Sequence, residues 1–97
     1  MPWSNRTRYP FTPKSVIVNA PMESGVYALH NGTAWIYIGE TVDILAQLIQ
    51  HLNGSNACVS VFPNVTFSYE LLPELTRAWR LEELVREFRP ICNTRRG

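Results

Sequence analysis

Five side chains in this sequence have a chemistry and a spacing that indicate a candidate site. Tyr27 and Tyr37 stand ten residues apart in two short β-prone runs, and each run contains a glycine. The other three candidates are His51, Glu82 and Asn93. Phenol, imidazole and amide groups exchange hydrogen bonds, and a carboxylate can hold a hard divalent cation. Each also has an ordinary role, as a half-buried strand aromatic, a solvated helix end, a helix ion pair or a turn cap.

The basic residues are confined to the two ends of the chain. Between Ser15 and Thr76 there is no Lys or Arg, and eight of the nine basic residues are arginine. Arginine suits planar, bidentate contact with phosphate, which favours a nucleic-acid partner. Solvated helix faces and a basic tail explain the same distribution equally well. The net charge of +1 favours neither interpretation.

Length and composition predict one packed domain over 1–97. The chain has 97 residues, of which 45% are hydrophobic, so it can bury a core. We expect an N-terminal arm over 1–20 and a core over 25–93. The sequence has neither an apolar run of about 18–20 residues nor a secretory leader, which predicts a cytoplasmic protein without a membrane partner.

The two cysteines, Cys58 and Cys92, are predicted to be separate buried thiols. They lie far apart in a chain that is expected to be cytoplasmic, where disulfides are rare. No CxxC or HxxxH pattern supplies the spacing of a metal site.

The elements that must position the candidate side chains begin with a β-hairpin. Alternation predicts strands at Gly25–Leu29 and Ala34–Ile38, joined by a turn over His30–Thr33 and ended by Gly39. A helix follows over about Val42–Asn53, with Thr41 as its N-cap and Asp43 in its first turn.

The second half of the chain predicts one strand and one helix. The runs Ala57–Phe62 and Val65–Leu71 are both β-prone, and the second is predicted to be the third strand. Pro73 opens a helix over Glu74–Phe88, which Pro90 ends. The segment Ser15–Val18 fits a short helix or a strand, and the aromatic residues of the arm Met1–Pro13 are expected to dock on the core. The fold class is therefore α+β in the order β-β-α-β-α, with a three-stranded, mainly antiparallel sheet flanked by helices.

The glycine and tyrosine runs identify a family resemblance. Gly25-Val26-Tyr27 and, ten residues on, Tyr37-Ile38-Gly39-Glu40-Thr41 resemble the GIY and YIG elements of the GIY-YIG nucleases. The helix that carries His51 and the closing Arg89-Pro90-Ile91-Cys92-Asn93 resemble the later motifs of that family. The match extends over about Gly25–Asn93.

The resemblance implies a metal-dependent endonuclease that hydrolyses DNA. Tyr27 would assist deprotonation of a water molecule, Tyr37 would hold the phosphate or the water network, and Asn93 would brace the site. His51 would act as base or phosphate contact. Glu82 would bind a single divalent ion, Mg²⁺ or Mn²⁺, which keeps most of its waters. Nucleic-acid contacts are expected from Arg77, Arg80 and Gly39.

Glu82 competes with its neighbour Glu83 for the metal-binding role. Both lie in an arginine-rich helix, where pairing with Arg80 or Arg86 is the ordinary function of a carboxylate. Glu82 lies beside the apolar stripe and Glu83 is expected to face more outward, so the interpretation favours Glu82.

Gln47 is the main departure from the family pattern. It occupies the position, ten residues past Tyr37, where the family typically has a catalytic arginine. Glutamine donates hydrogen bonds but carries no charge, and loss of a transition-state arginine costs about 10³–10⁵ in phosphoryl-transfer rate. Three explanations stay open: a naturally weakened relative, an inactivating arginine-to-glutamine substitution, or replacement of the charge by Arg77 or Arg80.

Two functional hypotheses follow. The first is an endonuclease that is weakened or inactive because of Gln47. The second is a non-catalytic module on the same fold that binds nucleic acid or a protein. Since little chain lies outside the core, we expect weak sequence specificity, or dependence on a second copy or a partner protein.

Overall fold

The computed structural model describes residues 7–32 and 34–93. The sequence predictions for Trp3, for Thr33 of the hairpin turn and for the basic tail lie outside the described residues. The sheet order is β1-β4-β2-β3, and all pairs are antiparallel. The elements are β1 (Tyr9–Pro10), α1 (Pro13–Asn19), β2 (Gly25–Asn31), β3 (Ala34–Thr41), α2 (Ile44–Leu52), α3 (Ala57–Ser60), β4 (Thr66–Leu71), α4 (Glu74–Phe88) and a closing 3₁₀ helix (Ile91–Asn93).

Strand β2 is the centre of the sheet. It pairs with β3 from Gly25↔Thr41 to Asn31↔Ala34, and with β4 from Gly25↔Leu71 to His30↔Thr66. Gly25 is required here, because a side chain at this position would run into the backbone carbonyl of Glu70. The predicted hairpin is confirmed, and β3 lies at the edge of the described sheet.

The sheet separates two apolar clusters. Tyr27, Leu29 and Phe67 belong to the cluster that includes Val16 of α1 and Ile44 and Leu48 of α2. On the other face, a second cluster contains Val26, Ala28 and Ile38 with Leu84 of α4. Period-two alternation along β2 therefore sends each side chain to one of two different layers.

The N-terminal arm contains structure that the sequence analysis did not predict. Tyr9–Pro10 pairs with β4 and adds a fourth strand, which corrects the predicted three. The undecided segment Ser15–Val18 is helical, because the Thr12 hydroxyl accepts a hydrogen bond from the Ser15 N–H and Pro13 opens the helix. Tyr9 and Phe11 pack against the core, as predicted for the aromatic residues of the arm.

Side-chain caps decide two segments against the sequence expectation: the β-prone run Ala57–Phe62 is helical at its start, and the predicted N-cap Thr41 was wrong. Ala57–Ser60 is a helical turn, since the Asn56 carboxamide oxygen accepts from the Cys58 and Val59 N–H groups. Helix α2 is capped by Asp43, whose carboxylate accepts from the Ala46 N–H at 3.0 Å. Thr41 is the last residue of β3 and instead accepts from the Asp43 N–H, so Gly39 lies inside the strand and does not end it.

The predicted bounds of α4 are confirmed. The helix runs over Glu74–Phe88 and ends at Arg89, whose φ of 46° places it in the left-handed region before Pro90. In the part of the chain that the structure describes, no helix has the length and apolar character needed to cross a membrane.

Cys58 and Cys92 form a disulfide, which corrects the prediction of two separate thiols. Their Cα atoms lie 5.7 Å apart, although 34 residues separate them in sequence. The bridge joins α3 to the closing 3₁₀ helix. Sequence spacing could not reveal this proximity, because it depends on where two short segments dock on the core.

A buried ion pair attaches α4 to β4. The Arg80 guanidinium donates to both carboxylate oxygens of Glu70 at 2.9 Å and to Glu83 at 2.8 Å. The Arg80 and Glu70 side chains are 10% and 8% exposed, so the pair lies in a region of low dielectric constant. Both groups depend on each other, because a buried charge without a counterion is strongly destabilising.

We expect Arg80→Met to lower the free energy of unfolding by about 3–5 kcal/mol, because Glu70 would stay buried without its arginine. Glu83→Gln should lower it much less, since that carboxylate is nearer to solvent. Urea denaturation followed by circular dichroism measures both changes. Adding Glu70→Met to Arg80→Met should restore most of the loss, and equal small losses in both single variants would contradict the assignment.

Candidate functional site

A hydrogen bond joins Tyr27 and His51. The Tyr27 hydroxyl lies 2.8 Å from His51 Nε2, inside the protein. Tyr27 comes from the central strand β2 and is 1% exposed, while His51 comes from the last turn of α2 and is 6% exposed. The apolar face of α2, with Ile44 and Leu48, packs on the sheet and brings the two polar groups together.

Tyr37 completes a cluster with this pair. Its ring centroid lies 6.1 Å from that of Tyr27 and 5.2 Å from that of His51. Tyr37 is half-buried on the edge strand β3, so it is the most accessible of the three side chains. We call Tyr27, Tyr37 and His51 the tyrosine–histidine cluster.

Gly39 makes room for the two phenol rings. It lies opposite Tyr27 in the β2–β3 register. A Cβ atom at this position would lie 2.6 Å from the Tyr27 hydroxyl oxygen and 2.9 Å from Tyr37 Cε2. Glycine is therefore needed for close packing and not for the end of a strand. Its predicted contact with nucleic acid stays a prediction.

Asn93 holds the edge strand at Ile38. Its Oδ1 accepts from the Ile38 N–H at 2.8 Å, and its Nδ2 donates to the Ile38 carbonyl at 2.9 Å. The carboxamide thus satisfies both backbone groups of one residue on the open side of β3. Because Ile38 stands between Tyr37 and Gly39, this contact braces the part of β3 that borders the cluster.

Gln47 lies one helical turn before His51 on α2 and is half-buried. Residues four apart on a helix share a face, so Gln47 points to the same side of α2 as His51. The sequence holds no Lys or Arg between Ser15 and Thr76, so α2 supplies no permanent positive charge here.

Arg77 and Arg80 lie on the face of the sheet opposite the cluster. Arg77 Nε donates to Glu40 at 2.8 Å, and Arg77 Nη1 donates to the Ser24 hydroxyl at 3.2 Å. Arg80 is 8% exposed and bound to Glu70, which conflicts with its predicted role as a nucleic-acid contact. Both guanidinium groups are held by carboxylates, so neither is positioned to replace the charge that Gln47 lacks.

The partners of Arg77 were not predicted from the sequence. Glu40 stands opposite Val26 in the β2–β3 register, on the face that α4 covers, whereas its neighbour Gly39 faces the cluster. Strand alternation was the signal that could have identified this, since it sends consecutive residues to opposite layers.

Glu82 lies on an exposed flank of α4. It lines an open cavity of about 630 Å³ together with Ala78, Leu81, Val85 and Arg86. Glu82 is two residues after Arg80, a rotation of about 200° around the helix, so its side chain points away from the buried Arg80–Glu70 pair. No hydrogen bond within residues 7–32 and 34–93 joins Glu82 to the cluster.

Glu83 is the less exposed of the two carboxylates. Its side chain is 23% exposed and bound to Arg80, which corrects the expectation that it faces more outward than Glu82. Beside Arg80, the pKa of the Glu83 carboxyl is lowered, so it stays ionised. In the described residues, no group of three or more His, Cys, Asp or Glu side chains is arranged to hold a metal ion.

Burial keeps Tyr27 and His51 uncharged. Burial, together with the neighbouring Tyr37 phenol, raises the pKa of Tyr27 far above its usual range. Burial also lowers the pKa of His51 below its usual 6.5. At neutral pH, Tyr27 therefore holds its proton and the His51 imidazole is neutral.

The hydrogen bonding favours one tautomer of His51. Its Nδ1 is buried and has no hydrogen-bond partner within the described residues. If the Tyr27 hydroxyl donates to Nε2, the proton on Nδ1 is the one unsatisfied group. In the opposite tautomer, Nε2–H would donate to the Tyr27 oxygen and the phenol proton would turn to the Tyr37 hydroxyl, so the assignment takes the Tyr27–His51 contact as the donor bond of the phenol. Nε2 is thus a base that already faces a phenolic proton.

Comparison with known proteins shows similarity of structure. No protein-family model and no curated protein sequence matches the chain. The magnesium-bound GIY-YIG N-terminal endonuclease domain of UvrC from Thermotoga maritima matches with a TM-score of 0.72 and 24% identity, over 84% of this chain and 94% of that chain. Two point mutants of that domain, a tyrosine-to-phenylalanine and an asparagine-to-alanine form bound to the catalytic divalent cation, match at 22% and 23% identity with the same TM-score and coverage.

The chain therefore has the fold of a GIY-YIG endonuclease domain. The predicted resemblance and the α+β fold class are confirmed, with four strands in place of three.

We expect ¹⁵N NMR to find His51 neutral and protonated on Nδ1 at pH 7. Because its pKa is lowered, protonation should begin only below about pH 6.5. Tyr27→Phe removes the donor to Nε2 and should turn this single tautomer into a mixture. A His51 that titrates above pH 6.5, or a tautomer that does not respond to Tyr27→Phe, would contradict the assigned hydrogen bond.

Proposed function

We propose that this domain is a metal-dependent endonuclease of the GIY-YIG type, acting on the phosphodiester backbone of DNA and slowed by Gln47. The observation that carries the proposal is the joining of Tyr27, Tyr37 and His51 in one cluster, at a strand that Asn93 braces. These groups come from four separate elements. Packing of the core alone does not require these polar side chains to lie in one cluster.

The spacing of residues in the similar structures supports the same proposal. The tyrosines that are replaced in three of the UvrC structures lie ten and fourteen residues apart in that protein. Tyr27, Tyr37 and His51 have this same spacing here. A further UvrC structure replaces an asparagine near the end of the domain, as Asn93 is near the end of this chain.

Proton transfer would pass through the Tyr27–His51 pair. A water molecule that attacks phosphorus must lose a proton, and a buried phenolate is a costly species. Tyr27 can accept the water proton while it donates its own to His51 Nε2, so the charge appears on the imidazole. Tyr37, as the half-exposed member, would contact the phosphate or the attacking water.

Glu82 is the residue that would hold a divalent cation. Its carboxylate is exposed at an open cavity, and no salt bridge joins it to another described residue. This environment fits Mg²⁺ or Mn²⁺, which takes one carboxylate and keeps most of its waters. Such an ion, when bound, would neutralise charge on the phosphate and on the departing oxygen.

Gln47 explains why we propose a weakened enzyme. Phosphoryl transfer builds negative charge on the equatorial oxygens, and a neutral carboxamide offsets less of it than a guanidinium. The two arginines that were considered as substitutes for this charge, Arg77 and Arg80, are bound to Glu40 and Glu70. The cluster would therefore have general-base chemistry with too little positive charge.

The neutral side chain of Gln47, in place of a catalytic arginine, favours a second candidate function. This candidate is a non-catalytic module that binds nucleic acid. Phosphate contacts of the terminal arginines would then weaken steeply with salt, since bound counterions are released. The same fold would serve as a scaffold for binding rather than for hydrolysis.

We expect Gln47→Arg to raise the rate of plasmid nicking in Mg²⁺ or Mn²⁺ by about 10³-fold, because a guanidinium at this position adds the missing charge. Gln50→Arg is the matched control, since it adds the same charge at an exposed position of the same helix. If neither variant cleaves, and binding to DNA falls steeply with salt, the binding module is the correct function.

In the Gln47→Arg background, Glu82→Gln should reduce metal-dependent nicking by at least about 10²-fold, because the amide replaces the anionic ligand. Glu74→Gln, at an exposed position in the first turn of the same helix, should leave the rate within about twofold. Nicking is measured on supercoiled DNA over a range of metal concentrations. Equal rates for the two variants would remove Glu82 from the site.

A further inference from the structure

The Cys58–Cys92 disulfide connects two supports of the cluster. Cys58 lies on α3, whose Val59 shares a cavity of about 200 Å³ with His51 and with Leu52 of α2. Cys92 is the residue before Asn93 in the closing 3₁₀ helix. One covalent bond thus joins the segment next to His51 to the segment that braces β3.

The Asn93 contact is placed where it can be lost without unfolding the sheet. Ile38 stands opposite Ala28 in the β2–β3 pair, and both of its backbone groups bond to Asn93. In an antiparallel pair such residues alternate with residues whose groups bond across to the neighbour strand. The Ile38 groups therefore point away from β2, and the Asn93 side chain satisfies them.

The closing segment is held by the buried residues Pro90 and Cys92 and by the disulfide. The 3₁₀ helix has three residues, of which Cys92 is buried and Ile91 is 47% exposed. Helix α4 ends before it, at Phe88, with a left-handed Arg89. Because Cys92 immediately precedes Asn93, the covalent link to α3 is one constraint on the position of the Asn93 carboxamide.

We propose that the Cys58–Cys92 disulfide positions Asn93, so that the thiol–disulfide state of the protein sets the order of β3 between Tyr37 and Gly39. Cys58 and Cys92 are positioning residues in this proposal. Its consequence for cleavage rests on the proposed nuclease function, whereas its consequence for β3 does not.

The redox step is an exchange with a dithiol. A thiolate of the reductant attacks the Cys58 sulfur, which is the less buried of the two, and Cys92 leaves as a thiolate that takes up a proton. The second thiol of the reductant then releases Cys58 from the mixed disulfide. The protein gains two electrons and two protons, and the dithiol is oxidised to its own disulfide.

Amide hydrogen exchange of the Ile38 N–H tests the proposal on the full chain. In the presence of dithiothreitol we expect this amide to exchange at least about tenfold faster than in the oxidised protein, because it loses one hydrogen bond. The Ala28 N–H on the central strand reports global stability and should change much less. Equal acceleration of both amides, or no change at Ile38, would overturn the positioning role.

Two variants keep the test independent of the reductant. Asn93→Ala should make the Ile38 amide fast in both redox states, and the double variant Cys58→Ser with Cys92→Ser should make it fast with or without dithiothreitol. Alkylation and mass measurement of the protein purified without reductant should find no free thiol. Two free thiols would overturn the proposal directly.

The rate of DNA cleavage provides a separate test of the proposal. If Gln47→Arg is active, reduction should lower kcat with little change in KM, because the phosphate contacts persist while β3 loses its order. If Gln47→Arg is inactive, the proposed function fails, and the exchange of the Ile38 amide still decides whether the disulfide positions Asn93.

Discussion

The hydrogen bond between the Tyr27 hydroxyl and the His51 imidazole is the interaction on which the candidate site depends. It joins the central strand to the last turn of α2 inside the larger apolar cluster, and Gly39 provides the space for it. Because both groups are buried, both are neutral at pH 7, and the Tyr27 hydroxyl and His51 Nε2 satisfy each other. Under the proposed function, this pair would pass the proton of the attacking water to the imidazole.

The sheet keeps the charged pairs away from this neutral pair. Arg77 with Glu40 and Arg80 with Glu70 lie on the α4 face, while the cluster lies on the α2 face. Fixed ion pairs at one face stabilise the attachment of α4 but cannot compensate for the neutral Gln47 at the other. The two faces therefore differ in their polar groups, ion pairs on the α4 face and neutral groups on the α2 face.

Sequence patterns within a single element predicted the elements that those patterns stabilise. The hairpin, the third predicted strand and the bounds of α4 follow from alternation, apolar periodicity and proline positions, and the structure confirms them. The β-prone run Ala57–Phe62 begins instead as a helical turn over Ala57–Ser60, since the Asn56 cap favours that conformation. The short strand Tyr9–Pro10 carries no alternation in two residues and forms only because β4 offers a free edge.

The sequence by itself determined the spacing of Tyr27, Tyr37 and His51. It also determined the glycine at position 39 and the neutral side chain of Gln47. Only the tertiary structure decided that Arg80 is a buried counterion, that Glu82 is more exposed than Glu83, and that Cys58 meets Cys92. The physical reason is distance along the chain. Spacing and periodicity fix which residues share a face of one element, whereas contacts between residues 10 to 55 positions apart depend on how the elements pack.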